Sequence, residues 1–421
     1  MSEPQAPEPA SAEPVSTPEN AGSVHRIVTR AVARAICPAA RFAGRVEQPA
    51  RLPQDDGLLF DTVAPEAGYP DGPVHYLLNG NLNHEMDIVS RLRELKGTMR
   101  RGDRVVAVCY ATLFHVLAAR LGLTVVNKSQ TNTLTRHDLE DLARLAGFEM
   151  VYLRRARILG FSVAWVVYFR PIIVDPEPPS LSIIVPARNE AGNIHHAFER
   201  IPDFPAPTEV LFVEGNSQDD TAEVIERCIA DTTPPEHVTY RFLKQPGKGK
   251  NDAVIHALEN ATGEVCVILD ADLTVPPEKL PDFYNAYAKG EADFVNGSRL
   301  LYPIEGNEMR LVNRFGNVFF AKFLSLVLRI RITDSLCGTK LFRKDDWQRT
   351  QAWRKAFNSP DPFGDFDLLF ANADMAVGNV NLPIHYRLRT YGDTNISRFR
   401  DGFVLFRMVL QGIWWFHFKR F

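Results

Sequence analysis

Two aspartates one residue apart, Asp270 and Asp272, close the apolar run VCVILDADLTVPPE. Such a run reads as a buried strand, and because strand side chains alternate, both carboxylates are expected to point the same way. Two hard oxygen ligands on one face suit Mg²⁺ or Mn²⁺ bridging a diphosphate, whose departure the metal would ease by neutralising developing charge. Isolated pairs of this type also cap helices, so the assignment draws its weight from the segments around it.

Three segments supply those surroundings. LSIIVPARNEAGNI is a strand ending in Pro186, with Arg188 and Glu190 at the opening of a helix, and EVLFVEGNSQDDTAEVI is a second strand ending in Glu214, Ser217, Asp219 and Asp220. Open α/β sheets bind ligands at the carboxyl ends of their strands, so these polar turns predict a site for a base and ribose. In QPGKGKNDAVIHAL, glycines free the backbone beside Lys248 and Lys250 just before a helix, an arrangement suited to anionic oxygens. Ala271, between the two aspartates, joins this donor-binding group.

The elements that must position these residues follow from hydrophobic pattern. Residues 1–24 are rich in Pro, Ala, Glu and Ser and read as a disordered tail. Residues 25–73 open with a basic amphipathic helix, in which Arg26, Arg30 and Arg34 recur opposite Ile27, Val28, Val32 and Ala35. From 74 to 174, VHYLL, HEMDIVSRLREL, RVVAVCY, HDLEDLARLAGF and FSVAWVVYF alternate strand and helix signals, which is an α/β pattern. The string DPEPPS at 175–180 is a linker, a second α/β series spans 181–397, and 398–421 is an aromatic and basic helix.

The order VPARNEAGNI, VEGNSQDDT, GKGKNDAV, LDADLTVPP, NGSRL, CGTKLFR and FGDFDLLF resembles the family 2 glycosyltransferases, and within them the dolichol-phosphate and polyprenyl-phosphate mannosyltransferase-like branch. That resemblance covers about residues 180–400. It implies a GT-A nucleotide-sugar fold: a mixed, mostly parallel sheet with helices on both faces. It also implies a metal at Asp270 and Asp272, with Mg²⁺ or Mn²⁺ as cofactor, an arginine near the phosphates at Arg299, and an acidic reaction-centre position at Asp367, with Asp365 a second candidate. The expected reaction is inverting transfer of a sugar from GDP or UDP to a polyprenyl phosphate or another membrane-proximal acceptor. An ionised phosphate acceptor needs no strong base, whereas a hydroxyl acceptor needs Asp367 or Asp365 to take its proton. Where the lipid-acceptor branch usually has glutamine two residues after the second aspartate, this chain has Thr274; after RxxG it reads DTNIS, with Thr394 and Asn395. Arg389, Arg398 and Arg400 are the candidates for binding an acceptor phosphate.

Residues 74–170 are similar to the later half of a class I methyltransferase. The glycine-rich turn that would bind S-adenosylmethionine does not precede residue 74, so a truncated, catalytically silent Rossmann-like half-domain is expected. Two alternatives to the transferase reading are a non-catalytic nucleotide-sugar-binding scaffold and, less favoured, a bifunctional methyltransferase and glycosyltransferase.

The formal net charge of −3, with 45% hydrophobic and 24% charged residues, gives no global basic field for nucleic acid. The five cysteines form no CxxC pair and fit a reducing, cytoplasmic setting. Neither a secretory pattern nor an uninterrupted apolar run of about 18 residues is visible. Yet Arg387–Phe421 carries seven Lys or Arg against two Asp, interleaved with Phe403, Phe406, Trp414, Trp415, Phe416, Phe418 and Phe421. With NVFFAKFLSLVLRI at 317–330, this predicts peripheral contact with the cytoplasmic face of a membrane.

Overall fold

The computed structural model describes residues 21–36, 40, 42–47, 71–111, 132–302, 311–359, 361, 364–387, 389, 391 and 398–418. It contains two sheets. The first has five strands: β1 (Arg45–Glu47), β2 (Val74–Asn79), β3 (Arg104–Tyr110), β4 (Phe148–Ile158) and β5 (Phe161–Pro171), in the order β1-β2-β3-β5-β4. The first three are parallel, and the β4–β5 hairpin runs antiparallel beside them. The second has seven strands: β6 (Leu181–Ala187), β7 (Thr208–Glu214), β8 (Val238–Lys244), β9 (Val265–Ile268), β10 (Phe294–Ser298), β11 (Lys340–Arg343) and β12 (Asn379–Pro383). Its order is β12-β10-β11-β9-β6-β7-β8, with β11 antiparallel to both neighbours and every other pair parallel. This is the mixed, parallel-rich α/β architecture expected.

Alternation along the strands separates the core into layers. In β3, Val105, Ala107 and Cys109 pack towards the helices Ile88–Lys96 and Arg136–Leu145. Val106 and Val108 face a second apolar cluster, shared with Ile184, Leu211 and Val213 of the seven-stranded sheet and with the helices Leu311–Leu328, Lys344–Phe357, Asp365–Asp374 and Arg398–Ile413. Ile183, Val185, Val210 and Phe212 face the opposite way, onto the helices Ala191–Arg200, Thr221–Asp231 and Leu280–Ala288.

A buried ionic joint ties the two sheets together. Asp293, just before β10, lies 2.9 Å from Arg104 Nη2 and 3.6 Å from both Arg101 Nε and Arg170 Nη1. Arg104 also donates to the Ala376 carbonyl at 2.8 Å, and Arg170 to those of Gly290 and Glu291. Burial opposes ionisation of Asp293, but Arg104 and Arg170 outweigh it and hold its pKa below the usual carboxylate value.

Two local features depart from the sequence pattern. The first helix spans Ala21–Ala35, so residues 21–24, read as tail, are helical, while residues 1–20 lie outside the described set. β4 is a full strand although Arg154, Arg155 and Arg157 interrupt its apolar pattern; Tyr152, Arg154 and Ala156 are buried on the side of the Ala21–Ala35 helix, and Phe148 is buried in the cluster beneath the helices Ile88–Lys96 and Arg136–Leu145.

Candidate active site

Strand direction assembles the site. β6, β7, β8 and β9 are mutually parallel, so one rim receives Ala187–Glu190, Glu214–Asp219, Gln245–Gly249 and Asp270–Asp272. β10 and β12 share that direction and bring Arg299, residues 384–387 and Arg389. β11 alone is reversed, and for that reason it delivers its beginning, Gly338–Lys340, to the same edge.

The aspartate pair is aimed by a turn, which corrects the alternation argument. β9 stops at Ile268; beyond it Leu273 adopts φ +50° and its N–H bonds the Asp270 carbonyl at 3.1 Å. Thr274, standing where the related branch has glutamine, donates through N and Oγ1 to Asp272 Oδ1 at 3.1 and 2.8 Å. Each aspartate faces a cation. Lys250 Nζ is 2.5 Å from Asp270 Oδ1, and Arg389 Nη2 is 2.5 Å from Asp272 Oδ2, with Nη1 3.7 Å from Glu190. Burial would raise the pKa of Asp270, yet Lys250, Lys340 and Arg299 overcome it and keep the carboxyl ionised. Glu190 moves the other way: burial, with Asp272 and Asp270 adding repulsion, outweighs its hydrogen bond from Asn193 and raises its pKa to about 7.

Lys340 was not singled out in the sequence. Fully buried, it donates to Asp365 Oδ1 at 2.7 Å and to the Cys337 carbonyl. A lysine inside the apolar run CGTKLFR was the available signal, because a buried ammonium requires a carboxylate. Gly338 leaves room for the pair: a Cβ there would displace Lys250 Nζ and the Asp270 carboxylate from their present positions. Tyr391 was missed as well; its hydroxyl donates to Asp219 Oδ2 at 3.2 Å and its ring lies against Gly192.

The other donor-side residues are sewn into one surface. The Asn189 N–H donates to Ser217 Oγ at 3.0 Å, the Gln218 N–H to Asn189 Oδ1 at 2.7 Å, and the Ser217 N–H to Glu214 Oε1 at 2.5 Å. Asp219 accepts from the N–H groups of Ala191 and Thr221. Pro186 is half-buried in β6 opposite Val213, Ala271 is buried, and Arg188 and Lys248 are exposed at the rim.

Three expected catalytic residues separate. Asp365 lies beside Lys340 and within electrostatic reach of Lys250, at the centre of the cluster. Asp367 is not brought to the aspartate pair: it accepts from Ser359 and sits 2.5 Å from Arg354. Two residues on a helix differ by about 200° in direction, so the Asp365–Asp374 helix sends its two acids to different partners. Burial and the neighbouring Asp361 raise the pKa of Asp367 to about 7 against the pull of Ser359 and Arg354. Arg299 spends its fork on Asp334, with Nε and Nη2 at 2.7 and 2.9 Å, which leaves it a long-range influence on Asp270. Arg398 and Arg400 begin the Arg398–Ile413 helix, and their side chains, like Thr394 and Asn395, lie outside the described residues.

This donor set fits a hard divalent cation. Among the described residues no group of three or more His, Cys, Asp or Glu converges as a closed cage. Two carboxylates at an open rim, balanced by cations, match an ion that takes its remaining ligands from water and substrate phosphate.

The family described as Glycosyl transferase family 2 matches residues 182–349, the stretch that contains both aspartates, Lys250 and Lys340. Over that stretch the chain is similar to family 2 glycosyltransferases. It is 29% identical over 238 residues to the low-salt glycan biosynthesis hexosyltransferase Agl6 of Haloferax volcanii, covering 55% of this chain and 53% of that relative. It thus spans about half of that protein's length. A dolichyl-phosphate hexose transferase of the same organism is 26% identical over 239 residues, 55% of this chain and 92% of the relative. Among solved structures, the glucosyl-3-phosphoglycerate synthase of Mycobacterium tuberculosis in complex with Mn²⁺ and UDP is 20% identical with a TM-score of 0.38, covering 56% of this chain and 79% of that one. The family 2 match ends before Asp365, Asp367 and Arg389, so their placement comes from this chain's own fold.

Proposed function

We propose that this chain is a metal-dependent, inverting glycosyltransferase that moves a sugar from a nucleotide diphosphate to a polyprenyl phosphate. The observation that carries the reading is the rim cluster, in which Asp270 and Asp272 stand among Lys250, Lys340 and Arg389. Mg²⁺ or Mn²⁺, held by Asp270 and Asp272, would supply positive charge to the donor diphosphate. The residues of the chain do the rest. Glu190, Glu214, Ser217 and Asp219 orient base and ribose, while Lys250 and Arg389, released from their carboxylates, meet phosphate oxygens. Attack on the anomeric carbon forms the new C–O bond as the bond to the diphosphate breaks, and the electron pair leaves on the phosphate.

The geometry at Asp365 favours an ionised acceptor. Its carboxylate is committed to Lys340 and Asp367 is turned aside, so neither is poised as the base that a hydroxyl acceptor needs. The relative named as a dolichyl-phosphate hexose transferase supports the same acceptor class. Membrane proximity fits two neighbouring helices. Leu311–Leu328 exposes Phe319, Lys322 and Leu326, and Arg398–Ile413 with Trp414 exposes Phe403, Phe406, Leu410 and Trp414 at helical spacing. No helix among the described residues is long and apolar enough to cross a bilayer, so contact of this kind lies in the interface.

The test is transfer by the purified chain from GDP-mannose, UDP-glucose and related donors to a short polyprenyl phosphate, with Mn²⁺ or Mg²⁺, beside Asp272→Ala. Metal-dependent transfer that disappears in the variant is the expected result. Donor binding without turnover by the wild-type chain, with every donor and acceptor, would instead establish the scaffold reading.

A further inference from the structure

The five-stranded sheet carries an exposed apolar feature that the transferase chemistry does not use. Among the described residues β5 pairs with β3 from Ala164 to Phe169, with the Ala111 N–H reaching the Val163 carbonyl, and the β4–β5 hairpin continues past this pairing from about Arg157 to Ser162. Its two-residue turn is Leu159–Gly160, both at positive φ, +48° and +86°. Such turns favour Asn-Gly or Asp-Gly, because a side chain with left-handed backbone is strained and a polar one also satisfies water. Here the position holds leucine at 94% exposure, followed by Phe161 at 76%. Neither folding stability nor solubility accounts for two large apolar side chains at a solvent-facing tip.

The body of the hairpin, below its tip, adjoins the exposed helices of the other half. Arg154 of β4 donates to the Phe416 carbonyl, next to Trp414. Partial burial and the like charges of Arg154 and, more weakly, Arg157 push the Arg329 guanidinium's pKa down, which places the end of the Leu311–Leu328 helix beside the hairpin. Residues 21–35, 150–169, 311–333 and 398–418 together hold thirteen Arg or Lys and a single acid, Asp401, in a chain whose net charge is −3. Arg30, Arg34, Arg155, Arg157, Lys322, Arg329 and Arg407 are exposed. This combination of apolar points and uncompensated cations is complementary to an anionic bilayer surface, and poorly complementary to a second copy of an acidic chain.

We propose that the Leu159–Phe161 hairpin tip is a second bilayer-inserting element, which together with the Phe319–Leu326 and Phe403–Trp414 faces docks the molecule on anionic lipid. The inference rests on the reading of the two helices as membrane-facing. It gives the five-stranded sheet a function: a second, distant contact fixes how the rim of the other sheet is oriented over the lipid surface.

The experiment is co-sedimentation of the full chain with vesicles of phosphatidylcholine alone or mixed equally with phosphatidylglycerol. The variants are a hairpin pair, Leu159→Asn with Phe161→Thr, and a helix pair, Phe403→Glu with Leu410→Glu. The wild type is expected on anionic vesicles, and each pair is expected to bind roughly tenfold or more weakly, as follows from withdrawing two apolar side chains from lipid. The hairpin pair should melt no lower than wild type, since asparagine suits the turn. Wild-type binding by the hairpin pair, with release of the helix pair, overturns the proposal and spares the membrane reading. Absence of wild-type binding to any vesicle overturns both. Equal binding to neutral and anionic vesicles overturns the charge argument, and conversion of a sedimenting dimer to monomer by the hairpin pair, without effect on vesicles, identifies the tip as a contact between copies.

Discussion

The inter-sheet joint and the rim cluster are built from the same chemistry, carboxylates beside arginine or lysine, and differ in what surrounds them. At the joint, Asp293 and the arginines around it are almost wholly excluded from water, and the guanidinium groups are also anchored on backbone carbonyls. At the rim, Asp270, Lys250 and Arg389 keep between a fifth and a third of their side chains exposed, and each pair meets at an open edge. A charge pair sealed from water is strongly destabilised by loss of one member, whereas a partly exposed pair exchanges partners at smaller cost. The joint therefore holds two sheets in place, and the rim holds charges that a ligand can redistribute.

The largest effect should come from breaking the joint. Asp293→Ala leaves Arg104 and Arg170 buried without their carboxylate and is expected to cost about 5 kcal/mol, read as a lower denaturant midpoint or loss of folded protein. Unchanged stability would mean that the joint is no more than a contact. At the rim the same kind of deletion should act on chemistry. Asp272→Ala is expected to lower transfer by about 10²- to 10³-fold, roughly 3 to 4 kcal/mol of transition-state stabilisation, while leaving the midpoint unchanged or slightly raised because repulsion with Asp270 and Glu190 is relieved.

A finer contrast lies within one helix. Asp365→Asn releases Lys340 beside the aspartate pair and is expected to lower transfer by about 10²-fold. Asp367→Asn, whose partners are Ser359 and Arg354, is expected to keep transfer within about threefold and to show mainly in the unfolding midpoint. The reverse ranking in steady-state rates would return Asp367 to the reaction centre and require the helix start to move.

How much of this was legible in the sequence follows from how far each feature reaches along the chain. Asp270, Asp272 and the turns at 186–190 and 214–220 were readable because a strand and the turn after it are local, and apolar alternation marks where the strand ends. The turn that aims the pair was not, since Leu273 at positive φ is an exception to what its side chain prefers. Lys340 was invisible for a different reason: only the reversed direction of β11 between β9 and β10 brings it to the rim, and strand order is a non-local choice. β4 was hidden because arginines occupy positions where a strand pattern expects apolar residues. Arg389 was recognised as a phosphate-binding candidate, but its bridge between Asp272 and Glu190 depends on chain that returns more than a hundred residues later.

The Arg299–Asp334 pair, with a sealed carboxylate and a slightly exposed guanidinium, lies between the two extremes, and acid separates the contribution of Asp334 from theirs. It is fully buried, accepts from Arg299 and from Asn317 Nδ2, and although burial works against ionisation those partners draw its pKa from 3.8 down to about 2. Because the folded value is the lower one, the unfolded chain binds the proton first. The contribution to stability is complete above about pH 4 and is lost as pH falls towards 2, amounting to about 2 kcal/mol in all and about 1 kcal/mol by pH 3. Asp334→Asn cannot titrate, so its deficit relative to wild type should narrow by that amount between pH 6 and pH 3, measured by urea unfolding at each pH. A deficit constant across that range would show that Asp334 titrates alike in the folded and unfolded chain, and that Arg299 is held at the rim by packing against Tyr386 rather than by its carboxylate.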